Sequence, residues 1–123
     1  MKGRIGSVED LDVYRRLCDL HLEIHFLTLE FPKFEMFELG SQLRRSSNSI
    51  AANLAEGWNS KHTKIYLTGI NRSLGELRET RHHLSMAYRK RYFGEDRYLD
   101  LLGRYEECGR MLRGLERSLE RFV

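Results

Sequence analysis

Apolar residues recur at steps of three and four in four separate stretches, and this spacing limits what the chain can fold into more than any other feature. In the first stretch Val13, Leu17, Leu20, Ile24, Leu27 and Phe31 follow steps of 4, 3, 4, 3 and 4. A period near 3.6 places these side chains along one stripe of an α-helix. Ser7, with Asp10 three residues on, is a start signal. Pro32 predicts the stop, because a residue before proline avoids α geometry.

The second predicted helix covers residues 38–56, with Gly57 as its C-terminal stop. Its seam is Leu39, Leu43, Ser46, Ile50 and Asn53, and a second stripe, Ser47, Ala51 and Ala55, is small throughout. Small residues admit a neighbouring helix closely, so this helix is expected to be packed on several sides. The third helix starts after Ser60, an N-cap, and carries Leu67, Ile70, Leu74, Leu77, Arg81, Leu84 and Tyr88 until Gly94 ends it. The fourth carries Tyr98, Leu101, Tyr105, Cys108, Leu112, Leu115, Leu119 and Phe122. The connections are short, so neighbours should run antiparallel. The expected fold is all-α, an antiparallel up-and-down four-helix bundle, as one domain over residues 1–123. With a single proline, Pro32, the chain has few forced breaks in its helices. Arg81 interrupts the third seam. It can pair with Glu56, sit at an opening onto another subunit, or run its stem along the seam edge to solvent.

Charge is unevenly spread. Residues 1–60 hold 7 Lys and Arg against 9 Asp and Glu, whereas residues 61–123 hold 14 against 9. The basic second half suits an acidic partner such as RNA, or is the solvated face of long helices. Arg outnumbers Lys 16 to 5, which favours bidentate phosphate or carboxylate contacts. Cys18 and Cys108 form no C-x-x-C and fall near the predicted core positions, so they read as buried, reduced thiols in a reducing, cytoplasmic setting. No run reaches ~18 apolar residues, which excludes a spanning helix. The start, MKGRIGSVED, has no apolar h-region and argues against a secretory signal.

Residues 42–57 read QLRRSSNSIAANLAEG. This stretch resembles the signature of the bacterial four-helix-bundle family, the ribosomal-RNA intervening-sequence proteins, at Gln42, Leu43, Arg44, Arg45, Ser49, Ile50, Asn53, Ala55, Glu56 and Gly57. The DLDVY of residues 10–14, Phe31-Pro32 before Glu38-Leu39, SLGEL of residues 73–77, and Met111-Leu112, Leu115 and Ser118-Leu119 resemble further family segments in the same order. The chain departs from the pattern by lacking a proline near Ala51 or Ala52, by carrying Trp58-Asn59, and by placing Arg81, His82 and His83 where apolar residues are usual. The resemblance implies an antiparallel four-helix bundle assembling as a homopentameric ring. It also implies a relationship to a protein that accompanies reverse transcriptases in diversity-generating retroelements and is thought to bind nucleic acid. It implies no established activity.

Two polar constellations are candidates for function. Arg45, Ser49, Asn53 and Glu56 can share a face of the second helix, either as a ligand contact or as a buried network fixing register and oligomer state. Arg110, Arg113, Arg117 and Arg121 form a stripe on the last helix, with Arg104 upstream. The stripe is either a phosphate-tracking surface for RNA or DNA, or a solvated face braced by Glu106–Arg110, Glu116 and Glu120. Arg89-Lys90-Arg91 beside Tyr92 and Phe93 offers stacking next to charge, and equally suits a helix C-terminus.

His21 and His25 are four apart, but HLEIH is not H-E-x-x-H, and a metal site would need His82 or His83 from another helix. There is no phosphate loop, nucleophile elbow or Cys-His motif. The expectation is a non-enzymatic, oligomeric binding or scaffold protein, with no cofactor, no metal and no catalytic residues. Its partners are itself, as a pentamer, and RNA or DNA. The alternatives are an interaction protein without nucleic-acid binding, or a metal-dependent enzyme using His21 and His25.

Overall fold

The computed structural model describes residues 6–123. Residues 1–5, and with them part of the non-secretory reading of the N-terminus, lie outside the described residues. Four helices carry the fold: α1 (Asp12–Thr28), α2 (Leu39–Gly57), α3 (Thr63–Arg89) and α4 (Glu95–Glu120). No strand occurs among the described residues.

Cross-helix contacts fix the direction of each rod. Between α2 and α3 they link Ser46 to Thr80 and Ser73 to Ile50. Between α1 and α2 they link His21 to Ser47 and Thr28 to Arg44. Between α4 and α1, Arg104 meets Glu23 and Arg97 meets Glu30. In each pair one number rises as the other falls, so neighbours are antiparallel, and α4 closes the bundle against α1. The expected seams face inward, with two corrections: on α2 Leu54 takes the core position expected of Asn53, which is only half-buried, and on α3 Tyr66 is buried where Leu67 is half-buried. Leu17, Leu20, Ile24 and Leu27 of α1, Leu43, Ile50 and Leu54 of α2, Ile70 and Leu84 of α3, and Leu101, Tyr105 and Leu112 of α4 are fully buried. Burying such side chains stabilises the fold by about 1.5–3 kcal/mol each.

The helix ends differ from the sequence expectation. Ser7 and Asp10 begin only a single 3-10 turn, Val8–Asp10, in which the Asp10 carboxylate accepts the amides of Gly6 (2.8 Å) and Ser7 (3.1 Å). Helix α1 stops at Thr28, before Pro32 can act, because residues 29–31 tighten into i to i+3 bonds that turn Phe31 inward. Gly57 is the last residue of α2 and not a left-handed stop; Asn59 takes the left-handed conformation (φ 53°). Ser60 sits outside α3 and its hydroxyl accepts the His62 amide at 3.2 Å. Helix α3 ends at Arg89, ahead of Gly94, in a Schellman turn: Tyr92 N–H bonds Ala87 C=O (3.1 Å) and Arg91 N–H bonds Tyr88 C=O (2.8 Å). Gly94 instead precedes the first turn of α4. At the far end of α4, Leu115 and Leu119 are only half-buried and Phe122 is exposed, because α1 begins at Asp12 and leaves that end uncovered.

Arg81 leaves the third seam, and Thr80 takes its place in the core. The Thr80 hydroxyl lies 2.8 Å from Ser46 Oγ and 2.9 Å from the Glu76 carbonyl, so this buried polar pair is satisfied. Arg81 does not reach Glu56; its facing carboxylate is Glu106 of α4, at 4.0 Å.

Candidate nucleic-acid interface

The charged side chains of α3 and α4 decide where an acidic partner can lie. From α3, Arg78 and Arg81 reach a groove whose floor is Leu74, Leu77 and Gly109, and α4 supplies Arg110, Arg113 and Glu106. The adjoining part of the same groove, about 380 Å³, is lined by Arg78, Arg81, His82, Ser85, Tyr98 and Leu102. Shared Arg78 and Arg81 join the two. Among the described residues, Glu106 is the one carboxylate lining them. Arg78 and Arg113 have no carboxylate within 4.0 Å among the described residues.

This groove differs from the stripe expected on α4 alone. Arg110, Arg113 and Arg117 do lie on the outer side of α4, but Arg110 is held by Glu107, with Nη2 2.6 Å and Nε 3.1 Å from one oxygen. The brace expected from Glu106 goes instead to Arg81. Arg121 lies over the Phe122 ring, 4.9 Å from its centroid. Arg104 does not belong to the stripe. It faces α1, pairs with Glu23 and contacts Asp100 at 3.4 Å; the Glu23 hydrogen bond leads the effects that hold its guanidinium still more firmly charged. Sequence reasoning missed Arg78, which shares the groove only because α3 and α4 run side by side.

The four residues expected to form one polar network on α2 take separate roles. Arg45 crosses to α3 and pairs with Glu79 and with Glu76 at 3.4 Å, on an exposed surface where such pairs contribute about 0–1 kcal/mol. Asn53 donates to the Ser49 carbonyl at 2.8 Å. Glu56 lines a notch of about 120 Å³ with Asn53, Gly57, Thr68, Gly69 and Arg72. The buried polar links of α2 run through other residues: Ser46 to Thr80, Ser47 to His21 at 2.8 Å, and the Ile50 carbonyl to Ser73 at 2.7 Å.

His21 thus spends one ring nitrogen on Ser47, and burial lowers its pKa. His83 meets Glu79 at 3.2 Å. Among the described residues no three His, Cys, Asp or Glu side chains converge as a metal site. Cys18 and Cys108 are both free thiols, and burial pushes Cys108 up to about 11. No helix among the described residues is long and apolar enough to cross a membrane.

One buried carboxylate had no sequence signal. Glu35, in the 3-10 turn Lys33–Glu35, is 1% exposed. It accepts from Tyr92 Oη (2.7 Å), Lys90 Nζ (3.1 Å) and Leu39 N (3.3 Å), tying the α1–α2 connection to the α3–α4 turn. Burial alone would raise its pKa, but these three donors outweigh burial and hold it below the ordinary value.

The order of the helices, the QLRR…EG stretch and the closed bundle agree with one match that runs along most of the chain: residues 9–114 fit the 23S rRNA-intervening sequence protein family. The chain belongs to that family. A crystal structure of a protein with unknown function from the S23 ribosomal protein family of Bacteroides thetaiotaomicron VPI-5482 has the same fold, with a TM-score of 0.74 and 23% identity. The match covers 85% of this chain and 97% of that one. No curated protein matches closely enough to carry an activity across. In this intervening-sequence protein the family stretch explains itself largely as packing. Leu43 and Ile50 are core, Ser46 and Ser47 are buried polar contacts, and Gly57 is a helix crossing point.

Proposed function

We propose that this intervening-sequence protein is a non-enzymatic binding protein that assembles with copies of itself and engages the backbone of RNA along the α3/α4 groove. The observation that carries the nucleic-acid reading is the convergence of Arg78, Arg81, Arg110 and Arg113 on one groove, where Arg81 and Arg110 face Glu106 and Glu107 while Arg78 and Arg113 have no carboxylate within 4.0 Å among the described residues. Arginines from two antiparallel helices can follow successive phosphates, and counterion release then dominates affinity. Titrating a structured RNA at several salt concentrations tests this: binding should weaken steeply with salt, and no binding even at low salt overturns it.

Self-association rests on a different surface. Leu22, Phe26 and Leu29 lie at i, i+4 and i+7 on the outer face of α1 and are each more than half exposed. The connection that follows exposes Phe34 (67%) and Phe37 (86%) as well, and Arg44 holds it to the end of α1 by bonding both Thr28 Oγ1 (2.9 Å) and the Met36 carbonyl (2.6 Å). With ~200 Å² per Phe, Phe26, Phe34 and Phe37 alone leave roughly 430 Å² in water. That is about half of what one partner contributes to a standard interface, and it falls in the range of the largest apolar patches on monomers, which are often interaction sites. A second copy, seating a different face on this patch in a head-to-tail contact that can close a ring, is the occupant this area fits, and a ring of five is what the family resemblance implies.

A further inference from the structure

A cleft at the α3–α4 turn combines charge with aromatic surface. It measures about 570 Å³, is open to solvent along one side, and is lined by Tyr88, Arg89, Arg91, Phe93 and Gly94. The aromatic wall is braced from behind. Tyr88 stacks on Tyr98 with ring centroids 4.4 Å apart and planes 4° from parallel, and Phe93 lies 6.4 Å from Phe31 with planes 2° apart. Tyr92 and Lys90, between the cleft residues in sequence, are turned away to Glu35. The two remaining arginines have no carboxylate within 4.0 Å among the described residues. Glu95 stands at the rim, where it accepts from Tyr88 Oη at 3.4 Å.

The backbone adds an independent observation. Arg91 has φ 66° and occupies the left-handed position of the Schellman turn, which glycine fills without steric cost. The other non-glycine residue there, Asn59, is of a type that tolerates this conformation. A long cation at such a position carries a local conformational cost; its charge suits the end of α3, and its guanidinium is brought to the mouth of an aromatic cleft.

We infer that this cleft binds one unpaired nucleotide, its base against the Phe93–Tyr88 wall and its phosphate held by Arg89 and Arg91. Each part has its own chemistry: stacking on the aromatic wall accepts any base, and two guanidiniums without a carboxylate partner can take a phosphate through charge-assisted, bidentate hydrogen bonds. The inference deepens the RNA reading, since it places a single-stranded or looped nucleotide at one end of the bundle while the α3/α4 groove holds backbone. The nucleotide is either free or part of a strand.

The test follows backbone amides of the isotopically labelled full chain by NMR, with adenosine 5′-monophosphate, adenosine, inorganic phosphate and penta-adenylate as separate probes. The monophosphate should shift the Arg91, Phe93 and Gly94 amides, and adenosine and phosphate should each bind at least tenfold more weakly. Penta-adenylate binding tenfold tighter than the monophosphate identifies a strand; equal affinity identifies a free nucleotide. Arg91→Gly should lose at least tenfold in affinity while its Tm stays level or rises, because glycine relieves the left-handed strain. Phe93→Leu, which keeps an apolar contact with Phe31, should lose a similar factor. Full-strength binding by Arg91→Gly, or phosphate binding as tightly as the monophosphate, overturns the inference. Arg78→Glu with Arg113→Glu should leave monophosphate binding intact, so loss of structured-RNA binding in that variant separates the groove from the cleft.

Discussion

Gly57 and Gly69 meet backbone to backbone where α2 crosses α3. A Cβ built on Gly69 would lie 2.8 Å from the Asn53 carbonyl oxygen and 3.1 Å from Gly57 Cα; one on Gly57 would lie 3.0 Å from the Ile65 carbonyl oxygen. Each contact is with backbone, so no side chain can swing aside to make room. Gly69→Ala should therefore destabilise the fold by about 2 kcal/mol or more, the range for overpacking a close contact. Gly103, also helical, has nothing within 4 Å of its would-be Cβ. Gly103→Ala should stabilise by roughly 0.5–1 kcal/mol through helix propensity alone. Urea unfolding of the two variants compares them directly.

Glu35 should give the stability curve an acid limb of its own. Its folded pKa lies below the ordinary 4.5, so the cluster contributes in full above that value and is lost as the pH falls through the folded pKa. Its partner Tyr92 is pushed up to about 12, first by the hydrogen bond to Glu35, so its contribution is present below pH 10 and lost as the pH rises toward 12. Glu35→Ala strands the Tyr92 hydroxyl and the Leu39 amide and should cost about 2–3 kcal/mol at pH 7. Denaturant midpoints measured from pH 3 to 7 should rise less steeply in Glu35→Gln than in the native chain.

Arg104 and Arg78 should separate stability from binding. Arg104→Ala removes a pairing with Glu23 on a half-exposed surface, so it should cost about 0–1 kcal/mol and leave RNA affinity unchanged. Arg78→Glu with Arg113→Glu should leave the midpoint of unfolding near native while weakening RNA binding and flattening its salt slope. Fluorescence anisotropy at a series of salt concentrations reads both.

Phe26→Asp with Phe37→Asp should convert the assembly into a folded monomer. Both side chains are more than 60% exposed in the single chain, so the charges meet water and not core. Circular dichroism should be preserved while light scattering reports a smaller mass.

How far the sequence spoke for the structure depended on whether a feature was local. The seam of α1, and that of α2 as far as Ile50, were legible because their 3–4 spacing is a property of one helix; beyond Ile50 the core takes Leu54 and not Asn53. Arg81 shows the limit: it fits the seam by counting, yet Thr80 enters the core, because a hydroxyl can be satisfied by Ser46 and Glu76 whereas a guanidinium needs a buried partner. Helix ends failed for a related reason. Pro32, Ser60 and Gly94 are valid signals, but inward packing of Phe31 and the Arg91 turn act first. Arg104 was counted with the α4 stripe because sequence places it upstream on the same helix; which side of α4 faces Glu23 is fixed only by assembly. Glu35 was invisible, since its two side-chain donors lie 55 and 57 residues away.

The most direct measurement is size-exclusion chromatography with light scattering and dual-wavelength absorbance on the native chain at low and at high salt. A ring that holds RNA elutes with a mass of several times 14.6 kDa at both salts and carries nucleic-acid absorbance at low salt that is stripped at high salt. A single 14.6 kDa species with the absorbance of protein alone at both salts contradicts it.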